Sequence, residues 1–315
     1  MSFQKNRKIL FIIQTGYSVG LGHLYRMKSL MEMLPVHCEA VIIILKEKEF
    51  VTPSVFPEGA ILNSYLSIDD VPRDVYEGFN ALVIDVYNLN ERNLKEIRSW
   101  LNIPIVIFGY SGKKYKNTLV VNVAEGRGPF PTYVEKDILE GSAYFVSNPI
   151  LESIRNSYAR ENELDKILCV FGGTDPANLS AKVISHIKEL DLNYDFTIVS
   201  NNILLEEKKI PGNVKIIGRQ DNLPATFCSY DLVITSPGNI YFEAMIVGIP
   251  VIAITQSVKQ ESDFKGYPWI YKPNEMRDCL SSLKEIHKRS KSSKDGINPG
   301  SGMPQIVNYI NINCQ

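Results

Sequence analysis

Lys8-Ile9-Leu10-Phe11-Ile12-Ile13-Gln14-Thr15, then Gly16-Tyr17-Ser18-Val19-Gly20-Leu21-Gly22, then His23-Leu24-Tyr25-Arg26 is the stretch that decides the fold. Residues 8–15 form a nearly continuous β-rich apolar run, the kind covered on both faces in a parallel sheet. A glycine loop follows. Residues 23–34 then place Leu24, Met27, Met31 and Leu34 on one side of a helix. Working outward, residues 41–45, 81–85, 104–108 and 118–122 read as further strands, with a helix over 90–101. The pattern restarts after a helix over 149–164: strands at 166–171, 195–200, 214–217, 232–235 and 251–254, helices at 176–190, 239–247, 275–288 and 304–312. Strands alternating with helices imply βαβ units and parallel sheets.

The 315 residues are too many for one ordinary core and suit two domains of common size. The expected division is 1–155, a Rossmann-like domain on the sugar side, and 156–315, a Rossmann-like nucleotide-binding domain, with the last helix available to pack back toward the first. With 34 basic and 35 acidic residues the formal charge is -1, which offers neither nucleic acid nor an anionic membrane a clustered basic face. The basic, serine-rich run 284–294 reads as a solvated helix end and loop. Five cysteines without a CxxC pair read as reduced thiols rather than a disulfide or zinc framework. There is no signal-peptide pattern and no apolar run long enough for a membrane span, so a cytoplasmic location is expected and no protein partner is called for.

Parallel sheets of this kind bind ligands at the carboxyl ends of their strands, and three loops there carry chemistry-bearing residues. In the first, Gly20 and Gly22 allow close backbone approach. His23 follows on the first helical turn, whose positive end suits a ring that accepts a proton, as a general base must. Arg26 lies on nearly the same helix face and could meet an anion. A glycine turn with a packed histidine fits the same spacing. In the second loop, Gly172-Gly173-Thr174-Asp175-Pro176-Ala177-Asn178, paired glycines can turn N–H groups toward a phosphate or sugar hydroxyl, while Asp175 alone would also serve as a helix cap. In the third, Ser236-Pro237-Gly238-Asn239 leads straight into a helix whose start suits a diphosphate. Glu243, one turn on, can accept two ribose hydroxyls or merely complement the helix dipole. No G-x-G-x-x-G, no G-x-x-x-x-G-K-[ST] and no metal-ligand cluster is present, so nicotinamide, ATPase and metal chemistry are disfavoured and no cofactor is expected.

Taken in order, G-x-G-H-x-x-R, Asp85-Val86-Tyr87, G-G-T-D-x-x-N-L-S, S-x-x-x-x-x-E-A and Gln260 resemble the UDP-sugar hydrolases of the pseudaminic acid pathway and the related spore-coat-polysaccharide proteins, over nearly the whole chain. The resemblance implies a glycosyltransferase-B-like fold, two Rossmann-like domains facing across a cleft, with UDP held mainly by the second. It implies metal-free hydrolysis of UDP-2,4-diacetamido-2,4,6-trideoxy-L-altrose at the anomeric carbon. It makes His23 the base and sets Tyr87 beside it in the sugar pocket, with Gly20, Gly22, Arg26 and Asp85 around them. Gly172, Gly173, Thr174 and Asn178 would approach the substrate. Ser236, Gly238 and Asn239 would bind the phosphates, Glu243 the ribose, and Gln260 would lie close to the ligand. Two departures stand out: the family reads Asp-His-Tyr where this chain has Val86, and it carries an acidic pair where this chain has Gly109-Tyr110-Ser111-Gly112. Both fall in the first domain, which implies retained nucleotide recognition with an altered sugar or acceptor. Three functions therefore stay open: a UDP-sugar hydrolase, a nucleotide-sugar glycosyltransferase of the same fold, and a non-catalytic sugar-nucleotide-binding protein.

Overall fold

The run quoted first becomes β1 (Arg7–Thr15), a central strand whose Ile9–Ile13 side chains are all buried, and the loop after it enters α1 (Gly22–Glu32). The structure is a computed structural model that describes residues 7–17, 19–52, 54–87, 89–110, 112–124, 133–135, 137–158, 163–200, 210–220, 222–292 and 297–313. After α1 come β2 (Cys38–Lys46), β3 (Ile61–Tyr65), β4 (Ala81–Asp85), α2 (Glu91–Trp100), β5 (Ile105–Phe108), β6 (Thr118–Asn122), β7 (Tyr133–Glu135) and β8 (Ile138–Glu140). They form one sheet in the order β3-β2-β1-β4-β5-β6-β8-β7, parallel throughout except for the β7–β8 pair. The chain winds from β1 out to β3, then returns to lay β4 on the other side of β1. That reversal opens a crevice at the carboxyl ends of β1 and β4.

The second sheet repeats the plan. It contains β9 (Lys166–Val170), β10 (Asp195–Val199), β11 (Val214–Ile217), β12 (Leu232–Thr235), β13 (Val251–Ile254) and β14 (Ile270–Tyr271), in the order β11-β10-β9-β12-β13-β14 and all parallel. Its reversal lies between β9 and β12. The helices of this half are α3 (Ile150–Ser157), α4 (Leu179–Glu189), α5 (Asn239–Val247), α6 (Val258–Asp263), α7 (Met276–Ser281) and α8 (Leu283–Ser292), and α9 (Met303–Asn313) closes the chain. Each sheet has its own apolar core, one centred on Leu10, Ile12, Ile84 and Ile107, the other on Ile167, Phe196, Ile234 and Ile252.

Two Rossmann-like α/β units are thus present, as the alternation of elements implied. The first comprises Met1–Glu125, Phe130–Ser147 and Gly300–Gln315, and the second Gly126–Pro129 and Asn148–Pro299. The change of unit falls at Ser147/Asn148 rather than near residue 155, because α3 packs on α5 of the second unit. Helix α9 belongs to the first unit, where Arg7 Nη1 donates to Asn311 O at 2.9 Å and Tyr144 Oη donates to Gln305 Oε1 at 3.2 Å.

Several expected elements change in detail. The helix expected over 149–164 is described only as Ile150–Ser157, and residues 159–162 lie outside the described residues. The helix expected over 275–288 is two, since Ser282 N turns back to Cys279 O and α8 starts afresh. The basic run rides on α8 with Leu283 and Ile286 turned into the core. Four strands escape the sequence pattern for physical reasons: β3 is a largely exposed edge strand without apolar alternation, β7 and β8 have three residues each, and β14 has two. No helix among the described residues is long and apolar enough to cross a membrane.

Candidate functional site

In the first unit the crevice between β1 and β4 holds a compact ionic cluster. Register places Ile13 of β1 beside Asp85, the last residue of β4. Thr15 Oγ1 donates to Gly20 O at 3.0 Å and Gly20 N to Gly16 O at 2.8 Å, folding the loop tightly before α1. Gly20 has φ 78°, a conformation in which a side chain would be strained, so its use is the turn itself. Gly22 opens α1 and His23 follows on the same turn.

His23 Nδ1 lies 2.6 Å from Asp85 Oδ1, while Arg26 Nε and Nη2 grip Asp85 Oδ2 and Oδ1 at 2.9 and 2.6 Å. Asp85 is 1% exposed. Burial alone would raise its carboxyl, but the Arg26 guanidinium and His23 outweigh that and hold it well below the usual carboxylate range. An ionised carboxylate only accepts, so Nδ1 must carry the hydrogen, and in the neutral ring the lone pair is then on Nε2. The cluster is therefore a histidine oriented by a buried carboxylate, with Arg26 fixing that carboxylate by a two-point grip while its guanidinium lies 5.3 Å from the Phe108 ring centroid.

Asp85, expected among the substrate-binding residues, is buried against His23 and Arg26, and Arg26 directs its Nε and Nη2 to that carboxylate. The spacing of G-x-G-H-x-x-R concealed this, because the partner arrives from a strand 62 residues away. Tyr87, by contrast, is 42% exposed next to this edge, with its backbone N–H donated to Gln14 Oε1 at 2.8 Å. Val86 is packed in the apolar core together with Tyr110, and Gly109 takes φ 69°. Of the positions where the resemblance called for polar groups, Val86 and Tyr110 carry core side chains and Gly109 and Gly112 are exposed glycines, while Ser111 lies outside the described residues.

In the second unit the loops after β9, β12 and β13 meet at the other reversal point. Gly172 (φ 83°), Gly173, Thr174 and Asn178 are exposed. Asp175 accepts from Leu179 N at 2.8 Å and from Ser180 N at 2.9 Å, so this carboxylate occupies the start of α4. Substituting Asp175 by Ala should therefore cost roughly 1 kcal/mol, the usual worth of such a cap, read as a lowered thermal midpoint. An unchanged midpoint would show the cap to be idle. Helix α5 differs: no side chain caps it, its first turn carries no acid, and it starts at Asn239 directly after Ser236-Pro237-Gly238. Of the two helix starts, α5 is the one suited to a diphosphate. Glu243 lies one turn into α5, half-buried, and burial pushes its carboxyl up to about 7.

Gln260, expected close to the ligand, makes two hydrogen bonds within the protein. Its Oε1 accepts from Gln256 N at 2.7 Å and its Nε2 donates to Pro237 O at 3.0 Å. Gln256, which the sequence reading passed over, bonds to Phe171 O, Ser236 Oγ and Ala177 N. The only sequence signal for it is a polar residue just past the carboxyl end of a strand.

No protein-family model matches the chain. It is similar to the uncharacterized protein MJ1062 of Methanocaldococcus jannaschii, 26% identical over 281 residues, covering 82% of this chain and 58% of that one. It thus spans little more than half of that relative's length. The spore coat polysaccharide biosynthesis protein SpsG of Bacillus subtilis is 24% identical over 267 residues, covering 80% of this chain and 78% of SpsG. Among solved structures, MurG of Acinetobacter baumannii superposes with a TM-score of 0.60 at 13% identity, over 97% of this chain and 99% of MurG. The fold is glycosyltransferase-B-like. Within this glycosyltransferase-B-like chain, the two candidate clusters lie at the reversal point of each sheet, where an open α/β sheet binds its ligands.

Proposed function

We propose that the chain is an enzyme of polysaccharide or nonulosonate biosynthesis that hydrolyses a UDP-activated amino or deoxy sugar at the anomeric C–O bond. The observation that carries this reading is the His23–Asp85 contact of 2.6 Å, which leaves His23 Nε2 as the proton acceptor. In the proposed step, water attacks the anomeric carbon and gives its proton to Nε2. The bond from that carbon to the β-phosphate oxygen breaks, its electron pair leaves with UDP, and the free sugar is released. Asp85 steadies the imidazolium as it forms. The start of α5, with Ser236, Gly238 and Asn239, receives the diphosphate, and Glu243 the ribose hydroxyls. Tyr87, exposed two residues beyond Asp85, would line the sugar pocket. The reading is supported by the similarity to SpsG, whose name places it in spore coat polysaccharide biosynthesis, and by the ordered motifs from Gly20 to Gln260.

Incubation with UDP-linked diacetamido sugars and no acceptor tests the proposal, with UDP release followed by chromatography. Release in water alone is expected. UDP formed only after a hydroxyl acceptor is added would replace hydrolysis by glycosyl transfer, in which the same histidine deprotonates the acceptor. UDP bound but never released from any sugar would make the chain a binding protein.

A further inference from the structure

Three loops must hold a common geometry if the start of α5 is to receive a diphosphate. They follow β9, β12 and β13, and one amide side chain ties them together. Gln256 sits just beyond β13, half-buried. Its Nε2 donates to Phe171 O, at the end of β9, at 2.9 Å, and to Ser236 Oγ, after β12, at 2.7 Å. Its Oε1 accepts from Ala177 N, in the loop before α4, at 3.3 Å. Both amide hydrogens and the carbonyl oxygen are thus used. The backbone N–H of Gln256 is in turn held by Gln260 Oε1, whose Nε2 reaches Pro237 O. The two glutamines grip the Ser236-Pro237 turn from one side chain each, immediately before α5 begins.

We infer that Gln256 is a positioning residue for the nucleotide's diphosphate: it fixes Ser236 and the α5 start against the glycine loop, without touching the ligand itself. The inference rests on the nucleotide-sugar reading given above. The chemistry of the contacts explains the choice of residue. Phe171 O only accepts and Ala177 N only donates, so the bridging group must offer two donors and an acceptor on one planar unit. Among side chains of this reach, a neutral amide does this and a carboxylate does not. Ser236 Oγ accepts from Gln256, which leaves the hydroxyl hydrogen free to turn toward an anionic oxygen. Gln256 therefore sets the direction in which Ser236 donates.

The test compares UDP and uridine binding, each by calorimetric titration, in the wild type, Gln256→Leu and Gln256→Glu. Gln256→Leu keeps similar bulk and removes all three side-chain bonds. Gln256→Glu keeps the shape but sets an acceptor against Phe171 O. UDP affinity is expected to fall about ten- to hundredfold in both, the loss of one to two well-placed hydrogen bonds, with uridine affinity unchanged. A merely structural glutamine would weaken UDP and uridine together, or lower the thermal midpoint alone, and either result overturns the inference. If Gln256→Leu does not fold, Gln256→Glu carries the comparison. Wild-type protein that binds UDP alongside a Gln256→Glu variant of equal UDP affinity sinks this inference only. Wild-type protein without UDP affinity sinks the nucleotide reading and the inference with it.

Discussion

Asp85→Asn is expected to lower kcat for UDP release by about 10²–10⁴-fold, the usual worth of a positioned general base, with the upper end matching the loss when the carboxylate behind a catalytic histidine is neutralised. The change keeps the shape of the side chain but removes the charge that meets both Arg26 and His23. In the placement that keeps the amide oxygen on Arg26 Nε, the NH2 takes the place of Oδ1 and faces Nδ1, which then has to accept. The ring is left with the hydrogen on Nε2, where the proton of water should go. Since Asp85 is closed off from any ligand, KM should move far less than kcat. Steady-state kinetics at several pH values check this, and full activity in Asp85→Asn would remove the base assignment.

The same substitution has a stability signature. Removing one partner of a buried ion pair costs about 3–5 kcal/mol, here because Arg26 would face Asp85's position without a counter-charge. In the wild type, Asp85 is held below its ordinary range, so its stabilisation is fully present above the unfolded-state value and is lost as pH falls through the folded one. Thermal midpoints should drop on acidification in the wild type, and that part of the acid sensitivity should vanish in Asp85→Asn.

Glu243→Gln is expected to move stability the other way. Burial pushes the Glu243 carboxyl up to about 7, so the folded state holds its proton more tightly than the unfolded chain does. The folded state thus loses stability as pH rises from the unfolded value through 7, by on the order of 3 kcal/mol at pH 8 and by less than about 1 kcal/mol at pH 5. A neutral amide of the same shape escapes that cost. Glu243→Gln should therefore melt several degrees higher than wild type at pH 8 and nearly level with it at pH 5. UDP affinity should fall in the same variant, because a carboxylate accepts both ribose hydroxyls and an amide only one. A residue that destabilises the apoprotein where the ligand is bound best is the pattern of a functional group rather than a structural one. Equal UDP affinity in wild type and Glu243→Gln would withdraw the ribose assignment, and equal melting at pH 8 would show that the carboxyl is not desolvated.

Much of the fold was legible because parallel strands buried on both faces must be apolar along their length. Ile9–Ile13, Ile167–Val170 and Val251–Ile254 announce themselves in this way, and each is followed by a turn and an amphipathic stretch. The loops that carry the candidate site were legible for the same reason, since small residues after such strands mark the carboxyl edge. Side-chain roles were not. The sequence places Asp85 and Gln260 in ligand-binding motifs, while their partners within the protein are His23 and Arg26 of α1 for Asp85 and Gln256 N and Pro237 O for Gln260. Asp175 was read with two uses open, and the N–H groups of Leu179 and Ser180 decide for the cap.

Two successive α/β units with glycine loops at their strand ends follow from the amino-acid order, because periodicity and turn chemistry are local properties of the chain. Which polar groups meet depends instead on how the strands pack. Strand order sets β4 beside β1 and β12 beside β9, and that order is fixed by packing between segments far apart in the chain. The partners of His23 and the three-loop grip of Gln256 follow from it, and no spacing within a single motif encodes them.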